Sequence, residues 1–259
     1  MPAQSPLPSI KAWPLSRFHF IKHYVIILSL LETKDRRTMG GQKGVKLLDF
    51  WVSPFGQRVR IALAEKGVEY DYHEENLAAK SELLLKSNPV NKQIPVLIHG
   101  SRSVCESLII VQYIDEVWSD KNRILPSDPF SRAQSLFWAD FVDKKVYVSG
   151  SKLWKLKGEE QEEGKKEFVE AIKTLEAELG DKKYFGGEYF GLVDIAMVPF
   201  TAWFDTYEAY SGISVEKEAP KVAAWSKRCK ERESVAKTLP DPEKVYDFVG
   251  LFRKTLGVE

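Results

Sequence analysis

Every strand-like run of this 259-residue chain lies before residue 106, and every long periodic run after Pro126-Ser-Asp-Pro129 is helical. That switch is the strongest constraint on the fold, because a period of two and a period of 3.6 cannot share one layer. Val45–Trp51 reads as a buried strand and 54–66 as a helix stopped by Gly67. A weaker strand follows over 69–75, then a short helix over 81–87 that ends before Asn88-Pro89. Residues 93–99 and 103–105 read as two strands around a turn at Gly100. A helix over 106–118 presents Leu108, Val111 and Ile114. The order β-α-β-α-β-β-α predicts a small sheet with helices packed on it.

Beyond the prolines, Phe168, Ile172, Leu175 and Leu179 form one apolar stripe, with Lys165, Lys166, Glu170 and Lys173 on the solvated side. Residues 192–209 are apolar and aromatic all round, which predicts a single buried helix. Gly191 suits its N-cap, and Asp194, at the third helical position, can bond back to the free N–H groups. The domain expectation is therefore a leader over 1–43, an α/β domain over 44–121, a linker over 122–128 and an all-helical domain over 129–259.

Charge narrows the partners. The formal net charge is +1, but residues 1–38 hold six basic residues against Glu32 and Asp35, leaving −3 for the remainder. With no basic stripe outside the leader, nucleic acid is not expected as a partner. Within the leader, Lys22-His23 precede eight apolar-rich residues, Tyr24–Leu31, too few to span a bilayer. No stable membrane association is expected. The leader is expected to lie outside the working protein, with Met39 as an alternative start and organelle targeting as the other reading. Cys105 and Cys229 make neither a CxxC pair nor a metal spacing, which suits a reducing, cytoplasmic setting. His73 and His99 read as strand-surface residues, and no metal is expected.

The seam "WVSPFGQRVR" at 51–60 carries the chemistry. Ser53 suits a helix N-cap with Pro54 at the first helical position. A hydroxyl at a positive helix end is also placed to hold an anion. Arg58, one turn along, reads as a surface arginine.

The run "SPFGQRVRIALAEKGVEYDYHEENLAAKSELLLKSNPVNKQIPVLIHG", followed by "CESLIIVQYIDEVW", resembles the tau class of plant glutathione transferases. "SPF", "KS", "NPV", "IPV" and "ES" occur in that order and at the family's intervals, and the resemblance runs from about Gly44 to the C terminus. It implies a thioredoxin-like N-terminal domain followed by an all-α domain, and a homodimer. It also implies an enzyme that joins the glutathione thiolate to hydrophobic electrophiles, with hydroperoxide reduction as a side activity. Glutathione is the co-substrate, and no cofactor is tightly bound.

By that resemblance Ser53 donates to the glutathione sulfur and Lys80 meets the glycyl carboxylate. Ile94, before a cis-proline turn, pairs its backbone with the cysteinyl unit. Glu106 faces the ammonium and Ser107 takes the γ-glutamyl carboxylate. Phe55, Leu77, Tyr147, Trp154, Trp203 and Phe248 match positions that line the electrophile pocket. Asn91 and Gln93 depart from the basic residues often found in that loop. Each site residue also has a plain reading: an exposed lysine at 80, a proline opening an edge strand at 95, and a capping box Ser103-x-x-Glu106. Two other functions compete: a non-catalytic carrier of planar hydrophobic ligands, and a thiol oxidoreductase. Serine at 53 cannot form the mixed disulfide of the latter, and Cys105 reads as a small hydrophobe.

Overall fold

The computed structural model describes residues 44–258, so the expected leader lies outside the described residues. Four strands form one mixed sheet in the order β2-β1-β3-β4: β1 Val45–Asp49, β2 Asp71–Glu74, β3 Val96–His99 and β4 Arg102–Cys105. β1 runs parallel to β2 and antiparallel to β3, with Leu47 opposite both Tyr72 and Leu97. β3 and β4 form an antiparallel pair around Gly100, whose φ of 62° suits a residue without Cβ.

Strand alternation sorts the two faces of β1. Leu47 joins the large core beneath α1 (Pro54–Glu65) and α3 (Ser107–Val117), while Leu48 packs with Leu84 of α2 (Glu82–Ser87) and with Val96. Three layers result, with α2 alone on one face. Gly67 stops α1 at φ 60° as expected, and the Ile94-Pro95 peptide is cis.

The connection to the helical part is pinned. Asp115 accepts from the backbone N–H groups of Ile124 and Leu125 at 2.8 and 3.0 Å, and Lys66 Nζ lies 2.6 Å from it. Asp128 then caps α4 (Pro129–Phe141) through Ser131 N at 2.8 Å, with Pro129 in the first turn where no N–H is needed.

α4 passes without a break through a π-helical turn, Val142–Tyr147, into α5 (Val148–Lys155). The long α6 (Glu159–Leu179) buries Phe168, Ile172, Leu175 and Leu179, the expected stripe. The expected single helix over 192–209 is instead three pieces: α7 (Leu192–Met197), a 3₁₀ stretch over Val198–Trp203 and α8 (Phe204–Ser211). Pro199 supplies the reason, since it has no N–H for the α-helical ladder. The chain ends in α9 (Val215–Glu218), α10 (Pro220–Lys230), α11 (Glu233–Ala236) and α12 (Pro242–Leu256).

Asp194 is a folding residue. Its carboxylate accepts from Gly191 N at 2.9 Å, Phe185 N at 3.0 Å and Trp225 Nε1 at 2.8 Å. Burial pushes its pKa up to about 6, and those three donors hold it from rising further.

Candidate functional site

Ser53 stands where β1 has ended and α1 begins. Its Oγ accepts from Gly56 N at 3.3 Å, so the N-cap reading holds. A hydroxyl has one donor and two lone pairs, so capping leaves the Ser53 proton free to serve another acceptor. The first turn of α1 itself contains no acidic residue.

Ser53 lines a cavity of about 430 Å³ between the α/β and helical parts. Lys80 and Ile94 stand in the same wall. Phe55, Leu77, Tyr147, Trp154, Trp203 and Phe248 supply much of its apolar surface. The aromatics are interlocked: Phe55 meets Tyr147 edge-on at 4.9 Å between centroids, and Trp154 lies 5.9 Å from Trp203 and 5.6 Å from Phe252. Lys80 Nζ donates to the Lys92 carbonyl at 2.7 Å, which fixes it against the loop before β3.

Glu106 and Ser107 do not line that cavity. Glu106 is the N-cap of α3, with φ 70°, a conformation that L residues rarely adopt and that clusters at functional positions. Its Oε1 accepts from Asn91 Nδ2 at 2.7 Å, so Asn91 supports this carboxylate. The capping box over 103–106 is absent: Ser103 lies exposed in β4, and the α3 cap has no side-chain bond.

The buried Ser107 hydroxyl accepts from Arg58 Nη1 at 3.2 Å, which again leaves its proton available. The surface placement expected for Arg58 is wrong. Arg58 is fully buried, with Nε donating to the Ala196 carbonyl at 2.9 Å and Nη2 lying 2.6 Å from Asp143 Oδ1. Its guanidinium also sits 5.0 and 5.4 Å from the ring centroids of Phe55 and Phe200. These partners lie 49, 138 and 85 residues away along the chain, for Ser107, Ala196 and Asp143 respectively. No local pattern points to them. One cation thus joins the floor of the cavity, the start of α3 and the helical part.

Behind Ser53, β1 ends in Asp49, fully buried beneath the first turn of α1. A Cβ added at Gly56 would come 1.6 Å from Asp49 Oδ1, so only glycine allows this approach. Burial pushes the Asp49 pKa up to about 7, opposed by Arg60, whose Nε lies 3.1 Å from Oδ2.

The two thiols are not activated. Burial and then the Glu106 charge raise the Cys105 pKa, and burial drives that of Cys229 well above the thiol range. His73 is exposed, whereas His99 bonds Tyr113 and stacks on Trp118. Among the described residues, no group of three or more His, Cys, Asp and Glu is arranged to hold a metal ion.

Sequence reasoning missed Lys155, Phe200 and Phe252 in the cavity wall. The run Leu153-Trp-Lys-Leu156 was the available signal for Lys155, a lysine set among apolar neighbours.

Residues 43–116 match the family model of the glutathione S-transferase N-terminal domain, and residues 158–228 that of the C-terminal domain. The chain is 61% identical to glutathione S-transferase U25 of Arabidopsis thaliana over 215 residues, 83% of this chain and 97% of that protein. Its fold is similar to that of rice GST1 in complex with glutathione, with a TM-score of 0.79, 55% identity, and 82% and 96% of the two chains covered. A tau-class glutathione S-transferase from mango, Mangifera indica, gives a TM-score of 0.77 and 42% identity, with 80% and 98% covered.

Proposed function

The chain belongs to the glutathione S-transferase family, in its tau class, and from that membership we propose a role for each part of the site. Glutathione is the co-substrate, and its thiolate is joined to a hydrophobic electrophile held in the aromatic cavity. Ser53 donates to the sulfur, and Lys80 meets the glycyl carboxylate. The Ile94 backbone pairs with the cysteinyl unit. Glu106 faces the ammonium, and Ser107 with the start of α3 takes the γ-glutamyl carboxylate. Reduction of hydroperoxides by attack of the same thiolate on a peroxide oxygen is the side activity we assign.

The observation that carries this reading is the Ser53 hydroxyl: acceptor side bonded to Gly56, donor side unassigned, in the wall of an apolar cavity at a helix N-terminus. A free cysteine thiol has a pKa of about 8.5, and a hydrogen bond to the charged sulfur, about 1.5–3 kcal/mol, lowers it by roughly one to two units. Ser53→Ala should therefore move the acidic limb of the kcat–pH profile upward by about that much, with the deficit shrinking above about pH 8.5. A variant that keeps the wild-type profile would leave Ser53 as a helix cap alone.

We read 44–121 and 129–259 as two domains, working in the cytoplasm; no helix among the described residues is long and apolar enough to cross a membrane. We also propose a homodimer. Its support is the exposure of Val90, Ile109, Phe130 and Phe137, apolar side chains that a second subunit would cover. Sedimentation at twice the chain mass is the expected result, and a monomer at assay concentration would refute it.

A further inference from the structure

Lys155 ends α5 and lines the cavity that the electrophile is proposed to occupy. Its ammonium nitrogen stands 4.9 Å from the Trp154 ring centroid and 6.0 Å from that of Tyr147. Lys152, less than a turn earlier, pairs with Glu167 at 2.7 Å. Lys155 has no such partner among the described residues. Burial alone pulls its pKa below the ordinary lysine value, with no carboxylate near enough to oppose the shift. Lys155 is half-buried, and a charge partly withdrawn from water gains from a counter-charge, of which the two aromatic faces supply only part.

The aromatic contacts place this cation relative to the thiolate. Phe55 follows Ser53 by two residues, its ring meets that of Tyr147, and the Lys155 ammonium stands over the Tyr147 ring. Ser53, Phe55, Tyr147 and Lys155 thus follow one another along the lining of the same cavity, with the two aromatic rings between the hydroxyl and the ammonium in that sequence of contacts.

Building on the transferase reading, we propose that Lys155 determines specificity for an amphipathic electrophile carrying an anionic group, a carboxylate in the simplest case. An aromatic or similarly sized apolar body separates that group from the electrophilic carbon. Thiolate attack occurs at one end, while the carboxylate accepts from the Lys155 ammonium at the other.

The test compares 4-chloro-3-nitrobenzoate with its methyl ester at saturating glutathione. In both, the sulfur bonds to the ring carbon and chloride leaves; the ester is the more activated ring, so the charge is read from the change in the acid-to-ester ratio of kcat/KM between wild type and variant, in which intrinsic reactivity cancels. Lys155→Met should lower that ratio about tenfold or more, and Lys155→Arg should restore most of it. A ratio that changes less than twofold overturns the proposal, as does a rise in KM for glutathione in its place. Binding of the unreactive 4-nitrobenzoate and its methyl ester, followed by tryptophan fluorescence, should show the same selectivity. If wild type conjugates neither halide, the transferase reading fails. The binding ratio then still decides whether Lys155 selects an anion.

Discussion

Replacing Arg58 with methionine separates the structure from the sequence pattern most sharply. A surface arginine can be exchanged within about ±0.5 kcal/mol. The observed Arg58 is fully buried, bonds Ser107 and the Ala196 carbonyl, and pairs with Asp143 at 2.6 Å. Removing one partner of a buried ion pair costs about 3–5 kcal/mol. Asp143 keeps 32% of its side-chain surface exposed and can recover some hydration, and methionine keeps part of the packing against Phe55 and Phe200. The net cost should therefore be about 2–3 kcal/mol. At roughly 2–4 °C per kcal/mol for a chain of this size, the melting temperature should fall by about 5–10 °C. Added salt should not close the gap, because a buried pair is poorly screened. KM for glutathione should also rise, since Ser107 loses the donor that orients it. The assay is thermal unfolding by circular dichroism at low and high salt, beside steady-state kinetics. A melting temperature within about a degree of wild type, with KM unchanged, would refute the bridging role.

Gly56→Ala should destabilise the protein by about 3 kcal/mol or more, because the new methyl meets the Asp49 carboxylate at 1.6 Å. Helix propensity alone predicts a gain of about 1 kcal/mol, so a melting temperature at or above wild type would dispose of the close approach. Asp49 holds its proton in the folded state up to about pH 7 but releases it near 3.8 when unfolded, so its contribution to stability falls as pH rises between those values. Asp49→Asn cannot ionise and should gain on wild type across that window by up to about 4 kcal/mol. Urea midpoints at pH 5 and pH 8 measure the change, and parallel pH dependence in the two proteins would refute it; Asp194, titrating near 6, cancels in the comparison.

What was legible in the chain was local. Ser53 as a cap, Gly67 as a stop and Asp194 bonding back to Gly191 all depend on neighbours within a few residues, and each is present in the structure. The division into strands before residue 106 and helices after Pro129 is equally plain, because the hydrophobic period changes there. What escaped depends on distant partners. Arg58 looks exposed until residues 107, 143 and 196 are brought around it. The break in 192–209 had a visible cause in Pro199, outweighed by the unbroken apolar composition. The π turn has no such cue, since Val142-Asp-Lys-Lys-Val-Tyr147 reads as ordinary helix.

That π turn decides which side chains the cavity receives. An α-helix advances about 100° per residue, and a turn closed by i→i+5 bonds takes up one residue more than a regular one. Were 142–147 wound as ordinary α-helix, everything downstream would move round by about one residue. Gly150, Leu153 and Trp154 would then stand where Ser151, Trp154 and Lys155 now face the cavity. The cation would leave the wall with no substitution in it. Helical phase is therefore a variable of this pocket in its own right: one residue gained or lost in a single turn can redraw the surface a substrate meets, while the composition of α5 stays the same.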